Sequence, residues 1–383
     1  MDDSYLGESI GKLGFGVMRL PLKDGKFDIE TVNKLVDKFM SEGFTYFDTA
    51  YAYEGSEESL RESLVKRYPR EAYQVATKIQ VLGVPSPERQ EDYLNESLRR
   101  LGLDYVDFYL LHGLGGAILE KAERFDSWSF MRLVKASGKA KHIGFSFHGT
   151  PEELEEILSK HPEAEFVQLQ LNYIDWDSSD VRSRELYEIA RKYNKPIIIM
   201  EPAKGGLLAE GESDAAKLIQ SANSDMSAAS WAFRFVGGLE GLITVLSGMG
   251  TIAQIEDNAK TFKDFTPLSA QEHEVLATAV EMMNSVPTIP CTSCRYCVPN
   301  CPKNISIPQV IGIYNKYLTH KAKSSAGYEY TMMRDVAADP QSCIKCRKCE
   351  EHCPQHIEIT EILTAAIDTF EAVRNEYKGK KAE

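Results

Sequence analysis

The chain has 383 residues, 43% of them apolar, with 57 acidic against 44 basic side chains and a net charge of −13. That length accommodates one large domain with a full core plus a small one. The negative balance speaks against nucleic acid as a partner, and no apolar run approaches the roughly 20 residues that span a bilayer. The charge serves solubility, with steering of a basic redox partner as its other conceivable use. The first ten residues are polar and acidic rather than a signal-peptide core, so the expectation is a cytoplasmic protein with reduced thiols.

In chain order, eight short β-rich apolar runs occupy 13–21, 44–50, 73–79, 105–113, 142–148, 166–173, 196–202 and 242–248. Amphipathic helical stretches follow most of them, at 29–43, 56–68, 87–102, 150–160, 178–194 and 251–262. Gly43 reads as a helix stop, and Thr150 with Pro151 as an N-cap and first helical residue. Strand–helix alternation over about 250 residues is the rhythm of a (β/α)8 TIM barrel. An open doubly wound sheet is the runner-up, but no GxGxxG turn follows the first strand. Barrel catalytic groups sit at the C-terminal ends of strands. Those ends carry Asp48, Lys78, His112, Ser146, Asn172, Glu201 and Ser247.

Four residues make a constellation. Asp48 ends the second run and Tyr53 follows in its loop. Lys78 ends the third run and His112 the fourth. A lysine ammonium facing a phenol lowers its pKa, and a carboxylate beside the lysine keeps it charged. A histidine at the same mouth can hold a substrate oxygen. The set suits protonation of a carbonyl oxygen while hydride reaches its carbon. A structural ion pair between Asp48 and Lys78 is the plainer alternative. Tyr51 reads as packing, His142 as ordinary, and His148 as a neighbour of the mouth. Trp128, Tyr173 and Trp176 either line a pocket or pack on the barrel.

The D-T-A-x-x-Y loop, then Lys, then His, each ending the expected strand, resembles the aldo/keto reductase family over residues 8 to 265. The resemblance implies Tyr53 as general acid, Lys78 and Asp48 as its tuning pair and His112 as the orienting group. It also implies an extended nicotinamide cofactor, NAD(P)H, with Gln168 at the carboxamide and Asn258 at the adenine end. The turn holding Ser247, Gly248, Gly250 and Thr251 opens a helix, and such amides favour phosphate. Three positions depart from the family pattern. Ser146 is followed by Phe147 rather than asparagine, and Met200 stands where an aromatic stacks on the ring. Between Gly248 and Asn258 there are only acidic charges, Glu256 and Asp257, leaving Lys204 or Lys260 to compensate.

After a helical stretch at 269–286, Pro287 and Pro290 stiffen a short joint. All eight cysteines then fall in two runs of one spacing, C-x2-C-x2-C-x3-C-P: Cys291, Cys294, Cys297, Cys301 and Cys343, Cys346, Cys349, Cys353. This is the ligand run of a 4Fe–4S cluster, and its duplication implies two 4Fe–4S clusters. Zinc usually pairs CxxC knuckles from separate segments. In two-cluster proteins the fourth cysteine serves the other cluster. That predicts Cys291, Cys294 and Cys297 with Cys353, and Cys343, Cys346 and Cys349 with Cys301. Helical spacing at 307–320 and 358–377 points to a mainly helical ferredoxin-like module. It resembles the extension found on a subset of aldo/keto reductases. The linear division is a barrel at 1–265, a linker at 266–290 and an iron–sulfur domain at 291–383.

Clusters pass one electron and nicotinamide two, so a flavin (FMN) in the barrel is the alternative cofactor. The leading function is an oxidoreductase reducing a carbonyl or oxidising an alcohol, wired by its clusters to a ferredoxin or other electron carrier. An electron-transfer or docking subunit of a larger redox complex, and purely structural clusters, are the other readings.

Overall fold

Each helix between two runs must cover an apolar side, and a right-handed crossover leaves the next strand beside the last. The computed structural model describes residues 4–23, 26–336 and 338–382. Its eight long-range strands are β1 (Leu13–Gly16), β2 (Tyr46–Asp48), β3 (Gln74–Ile79), β4 (Val106–Leu114), β5 (Ala140–Phe147), β6 (Phe166–Gln170), β7 (Ile197–Met200) and β8 (Leu242–Ser247). All pair in parallel with their sequence neighbours, and β8 pairs with β1 to close an eight-stranded barrel. The predicted (β/α)8 architecture is therefore the observed one.

Inside, Tyr46, Ala76, Phe108, Leu110, Phe166, Ile198 and Ile243 form one buried cluster with Ile10, and Leu6 packs against it. Period-two alternation places the strand ends above this cluster. Tyr46 and Asp48 share a face of β2, as do Ala76 and Lys78 on β3. The register between β4 and β5 slips between Leu111 and Leu114. At that irregularity Gly113 adopts φ +66°, and the Ser146 hydroxyl accepts its N–H at 2.8 Å. Bulges of this kind re-aim a side chain, here His112.

Helix starts follow their caps. The Thr150 hydroxyl accepts the Glu153 N–H while the Glu153 carboxylate accepts the Thr150 N–H at 2.8 Å, with Pro151 in the first turn. Gly43, just past the helix Ile29–Ser41, takes φ +91°, the left-handed turn-off expected of it.

The chain packs into two units, Met1–Pro202 with Ala232–Leu268, and Ala203–Trp231 with Ser269–Glu383. This differs from the linear division. The segment 203–231 and the helix Ala270–Asn284 group with the cysteine-bearing residues. Within that second unit the helix Asp214–Ala222 packs on Ala270–Asn284, and Ser325 donates to Glu210 at 2.9 Å. Its core gathers on Phe370, whose ring lies 6.2, 5.7 and 5.2 Å from Tyr314, Tyr317 and Tyr330. The proline joint is clamped by Asn315, which accepts the Ile289 N–H at 2.8 Å and donates to its carbonyl at 2.9 Å.

Gly144 in β5 tests how tightly the barrel closes. A Cβ there would lie 2.5 Å from the Phe166 carbonyl oxygen on β6, and backbone cannot swing aside. Gly144→Ala should cost about 1–3 kcal/mol, the range for overpacking, measured as a fall in melting temperature. An unchanged melting temperature would show the barrel to be slack at this point.

Candidate active site and cysteine cradles

Lys78 is fully buried, and its ammonium donates to the Asp48 carboxylate at 2.5 Å and to the Thr49 carbonyl at 2.7 Å. The contact is that of an ion pair. Burial disfavours the Lys78 charge, but Asp48 and then Tyr53 reverse this, so the ammonium titrates above an ordinary lysine. Burial also lifts the Asp48 carboxyl, against the pull of Lys78. Its second oxygen, Oδ2, has no hydrogen-bond partner.

The loop after β2 brings Tyr53 over this pair. The Tyr51 N–H bonds the Lys78 carbonyl at 3.1 Å, the Tyr53 N–H the Ala50 carbonyl at 3.0 Å, and the Ser56 hydroxyl the Val17 carbonyl at 2.9 Å. Arg100 staples the loop from the helix Gln90–Leu101. Its guanidinium lies 4.3 Å from the Tyr51 ring centroid, donates to the Tyr51 carbonyl at 3.3 Å and faces Glu57 at 3.4 Å. Sequence reasoning missed Arg100, because its partners are close only after folding.

The Lys78 ammonium lies 5.0 Å from the Tyr53 ring centroid. Burial raises the phenol above its ordinary value; Lys78 pulls it down without overcoming that. The expectation of a lowered phenol pKa is corrected accordingly: spacing reveals the cation but not the depth of burial. His112 sits edge-on to Tyr53, with centroids 5.6 Å apart and an interplanar angle of 82°. Burial, then Lys78 and His148, depress its imidazole to about 3, so His112 is neutral at physiological pH. The four residues meet around a protonated phenol, a charged ammonium and a neutral imidazole. That set can deliver one proton to an oxygen and hold that oxygen by a second hydrogen bond.

The cofactor-side residues are less uniform. Gln168 is buried; its Nε2 donates to the Met200 sulfur at 3.6 Å, and its Oε1 has no partner. A buried, unpaired amide oxygen suits the N–H2 of a carboxamide. Phe147 is buried against Phe145. Asn258 donates to the Ser247 hydroxyl at 3.0 Å. The helix Ile252–Lys263 is closed by a capping box in which the Gln254 amide oxygen accepts from Gly250 at 2.8 Å and Thr251 at 3.2 Å. Two of the candidate phosphate donors are thus internally satisfied. The Thr-x-x-Gln pattern signals this in the sequence. Lys260 lies in the last turn of that helix, and Glu256 pairs with Lys38 at 2.9 Å.

Other candidates pack. Trp128 stacks on His161 at 4.4 Å, and Tyr173 and Trp176 stand edge-on to Phe235. His142 lies 3.4 Å from Glu165. Asn172 bonds Asp175 at 2.7 Å within its own loop.

No two of the eight cysteines are joined in a disulfide, and together they line two cavities. One is lined by Cys291, Cys294, Cys297 and Cys353, the other by Cys343, Cys346, Cys349 and Cys301. The two loops repeat each other in backbone. Ser293 and Arg295 in the first, Lys345 and Arg347 in the second, all adopt φ between 55° and 65°. Asn304 (53°) and His356 (52°) repeat the match three residues after the fourth cysteines. Turns of this kind make the concave N–H nests that hold anions and iron–sulfur groups. The Asn304 and His356 N–H groups bond the Cys301 and Cys353 carbonyls, each at 3.0 Å. Among the described residues, no three His, Cys, Asp or Glu side chains converge as on a single ion.

Comparison with known proteins agrees with this architecture. Residues 12–281 match the model of the aldo/keto reductase family, and residues 290–358 that of a 4Fe-4S dicluster domain. An aldo-keto reductase of Mycolicibacterium smegmatis is 34% identical over 140 residues, covering 35% of this chain and 46% of its own. The NAD/NADP-dependent indole-3-acetaldehyde reductase of Schizosaccharomyces pombe is 26% identical over 226 residues, covering 58% of this chain and 72% of its own. The first curated relatives are matched over only about half their length, from 45% to 58%. Among solved structures, aldo-keto reductase AKR11C1 of Bacillus halodurans in its holo form aligns with a TM-score of 0.58 at 24% identity, covering 71% and 93% of the two chains. An aldo-keto reductase of Klebsiella pneumoniae in complex with NADPH aligns at 0.57 and 19%, covering 70% and 90%. The family match spans most of the chain, which belongs to the aldo/keto reductase family and carries a 4Fe-4S dicluster domain after its barrel.

Proposed function

We propose that this chain is an oxidoreductase that interconverts a small carbonyl compound and its alcohol at the mouth of the barrel. The observation that carries the reading is the buried Lys78–Asp48 pair beneath a protonated Tyr53, with a neutral His112 edge-on to it. In the reducing direction Tyr53 gives its hydroxyl proton to the carbonyl oxygen. Lys78 stabilises the phenolate left behind, and Asp48 keeps the lysine charged and placed. His112, unable to ionise near neutrality, holds the substrate oxygen as a hydrogen-bond donor. A nicotinamide, when bound, would supply the hydride for the carbonyl carbon. Gln168, through its unpaired Oε1, would hold the carboxamide, with Ser146 and Met200 beside it. Ser247, Gly248, Gly250, Thr251 and Asn258 would hold the phosphate and adenine end, Gln254 yielding its two amides. The family's NADPH-bound structure supports nicotinamide over flavin.

The two cradles would each hold one 4Fe–4S cluster, the first on Cys291, Cys294, Cys297 and Cys353, the second on Cys343, Cys346, Cys349 and Cys301. The clusters supply one-electron exchange with a carrier. Crossover of the fourth cysteines is supported by the thiols' own influences. Cys297 is raised to about 11 by burial and then by Cys291, Cys294 and Cys353; Cys349 is raised to about 11 by burial, with Cys301 and Cys343 among its neighbours.

Tyr53→Phe keeps the ring and removes the proton. Carbonyl turnover should fall by about 10²–10⁴-fold, the usual weight of a general acid, with iron content unchanged; full turnover would remove Tyr53 as the donor. The pH dependence follows from His112. With its pKa near 3, kcat/KM should show no His112 inflection between about pH 5 and 8, where an ordinary histidine titrates. An inflection near pH 6.5 that His112→Gln abolishes would contradict a neutral imidazole.

Anaerobic purification with iron, acid-labile sulfide, flavin and nicotinamide binding measured together tests the cofactors. About eight irons, as two cubanes require, with nicotinamide binding and no flavin is the expected result. Stoichiometric flavin would replace the nicotinamide reading. Co-purification with a larger redox complex and no activity alone would favour a docking subunit.

A further inference from the structure

The negative charge of this chain is unevenly distributed. The segments 291–303 and 343–349, holding seven of the eight cysteines, contain Arg295, Lys303, Lys345, Arg347 and Lys348 and no acidic residue, in a chain of net charge −13. All five cations are exposed. Arg347 reaches Glu361 at 3.3 Å and Glu350 at 3.8 Å. Among the described residues no ion pair holds the other four.

Four of the five gather at the second cradle. Lys303 and Arg347 line its cavity, while Lys345 and Lys348 lie on its cysteine loop. On the same loop Ile344 is 59% exposed, and Cys346 is exposed as well. A branched apolar side chain held out on this loop, beside four cations of which, among the described residues, only Arg347 faces a carboxylate, has the anatomy of a docking patch: an apolar centre with a charged rim.

We propose that the rim of the second cradle, Ile344 with Lys303, Lys345, Arg347 and Lys348, docks a small acidic one-electron carrier protein. The proposal rests on the reading of the cradles as cluster sites. Charge complementarity chooses the occupant. A basic carrier, which net charge alone suggests, meets like charge at this rim, and an acidic one is drawn to it. The exchange itself breaks no bond and moves no proton. One electron passes between the carrier and the group held by Cys301, Cys343, Cys346 and Cys349, one partner being oxidised as the other is reduced.

The test is anaerobic calorimetric titration of the full-length holoprotein with an acidic plant-type 2Fe–2S ferredoxin, and in parallel with a basic c-type cytochrome, at about 50 and 300 mM salt. Iron and sulfide are measured on the same samples. The acidic carrier should bind, and lose about tenfold or more in affinity at the higher salt, as screened charge attraction requires. The double variant Lys345→Glu, Lys348→Glu should bind about tenfold or more weakly at low salt with iron unchanged. Ile344→Ser should weaken binding at both salts. If the charge reversal loses iron, Lys345→Gln with Lys348→Gln gives the same comparison at half the charge change. Undiminished binding by a charge variant that retains its iron, or tighter binding of the basic cytochrome, would overturn the proposal. A protein lacking iron that still binds the acidic carrier in a salt-dependent way would keep the surface and sink the cluster reading instead.

Discussion

A lysine ammonium with no exposure to water is the constraint on which the barrel mouth depends. An isolated buried charge costs several kcal/mol, and removing one member of a buried pair typically costs about 3–5 kcal/mol. Lys78 is held only because β2 and β3 are adjacent in the barrel, with Asp48 paired to Ala76 in register. Two residues further along β3, Lys78 returns to the inner face and meets the Asp48 carboxylate. The Thr49 carbonyl takes a second ammonium proton. Barrel closure and the placing of the Lys78 ammonium therefore rest on the same contacts, and the Tyr53 loop is tied to the Lys78 carbonyl as well.

The second unit solves a different burial problem. Cys297 and Cys349 are largely buried, and burial pushes both thiols to about 11, so neither ionises readily without a cation. Paired left-handed residues aim backbone N–H groups inward at each loop and can offset thiolate charge. Ile307 borders both cavities, and the helix Ile307–His320 that it opens packs on Phe370 through Tyr314 and Tyr317. The duplication seen in cysteine spacing thus extends to the backbone and to the isoleucines that follow each run.

Much of this was legible in the chain. Short continuous apolar runs separated by amphipathic helices identify the strands, since a parallel barrel strand buries both of its faces. The cysteine spacing identifies the sets, and the exchange of fourth cysteines places Cys353 with Cys291 and Cys301 with Cys343, as the two cavities have them. What escaped depends on distance between remote parts of the chain. The residues 203–231 lie within the family match, and their packing on helices more than 40 positions away shows only in the fold. The slip that turns His112 leaves no mark beyond the glycine after it. Trp128 looked available for a pocket, but its ring is covered by His161.

The direction of the Tyr53 shift shows why charge counting falls short. The sequence supplies a lysine, a carboxylate and a histidine around one phenol, and counting charges alone makes the phenol more acidic. Once the site closes, desolvation outweighs the cation: Tyr53 stays protonated and His112 stays neutral. Burial, rather than the presence of a nearby charge, thus sets the protonation state that each group holds. The same distinction governs the surface. A total of −13 averages over solvated helix faces whose carboxylates are matched by lysines one turn away, such as Glu30 with Lys34 and Glu62 with Lys66. Unmatched charge is what a partner meets at close range, since screening removes the rest beyond about 10 Å. On the two cysteine loops, 291–303 and 343–349, that unmatched charge is positive.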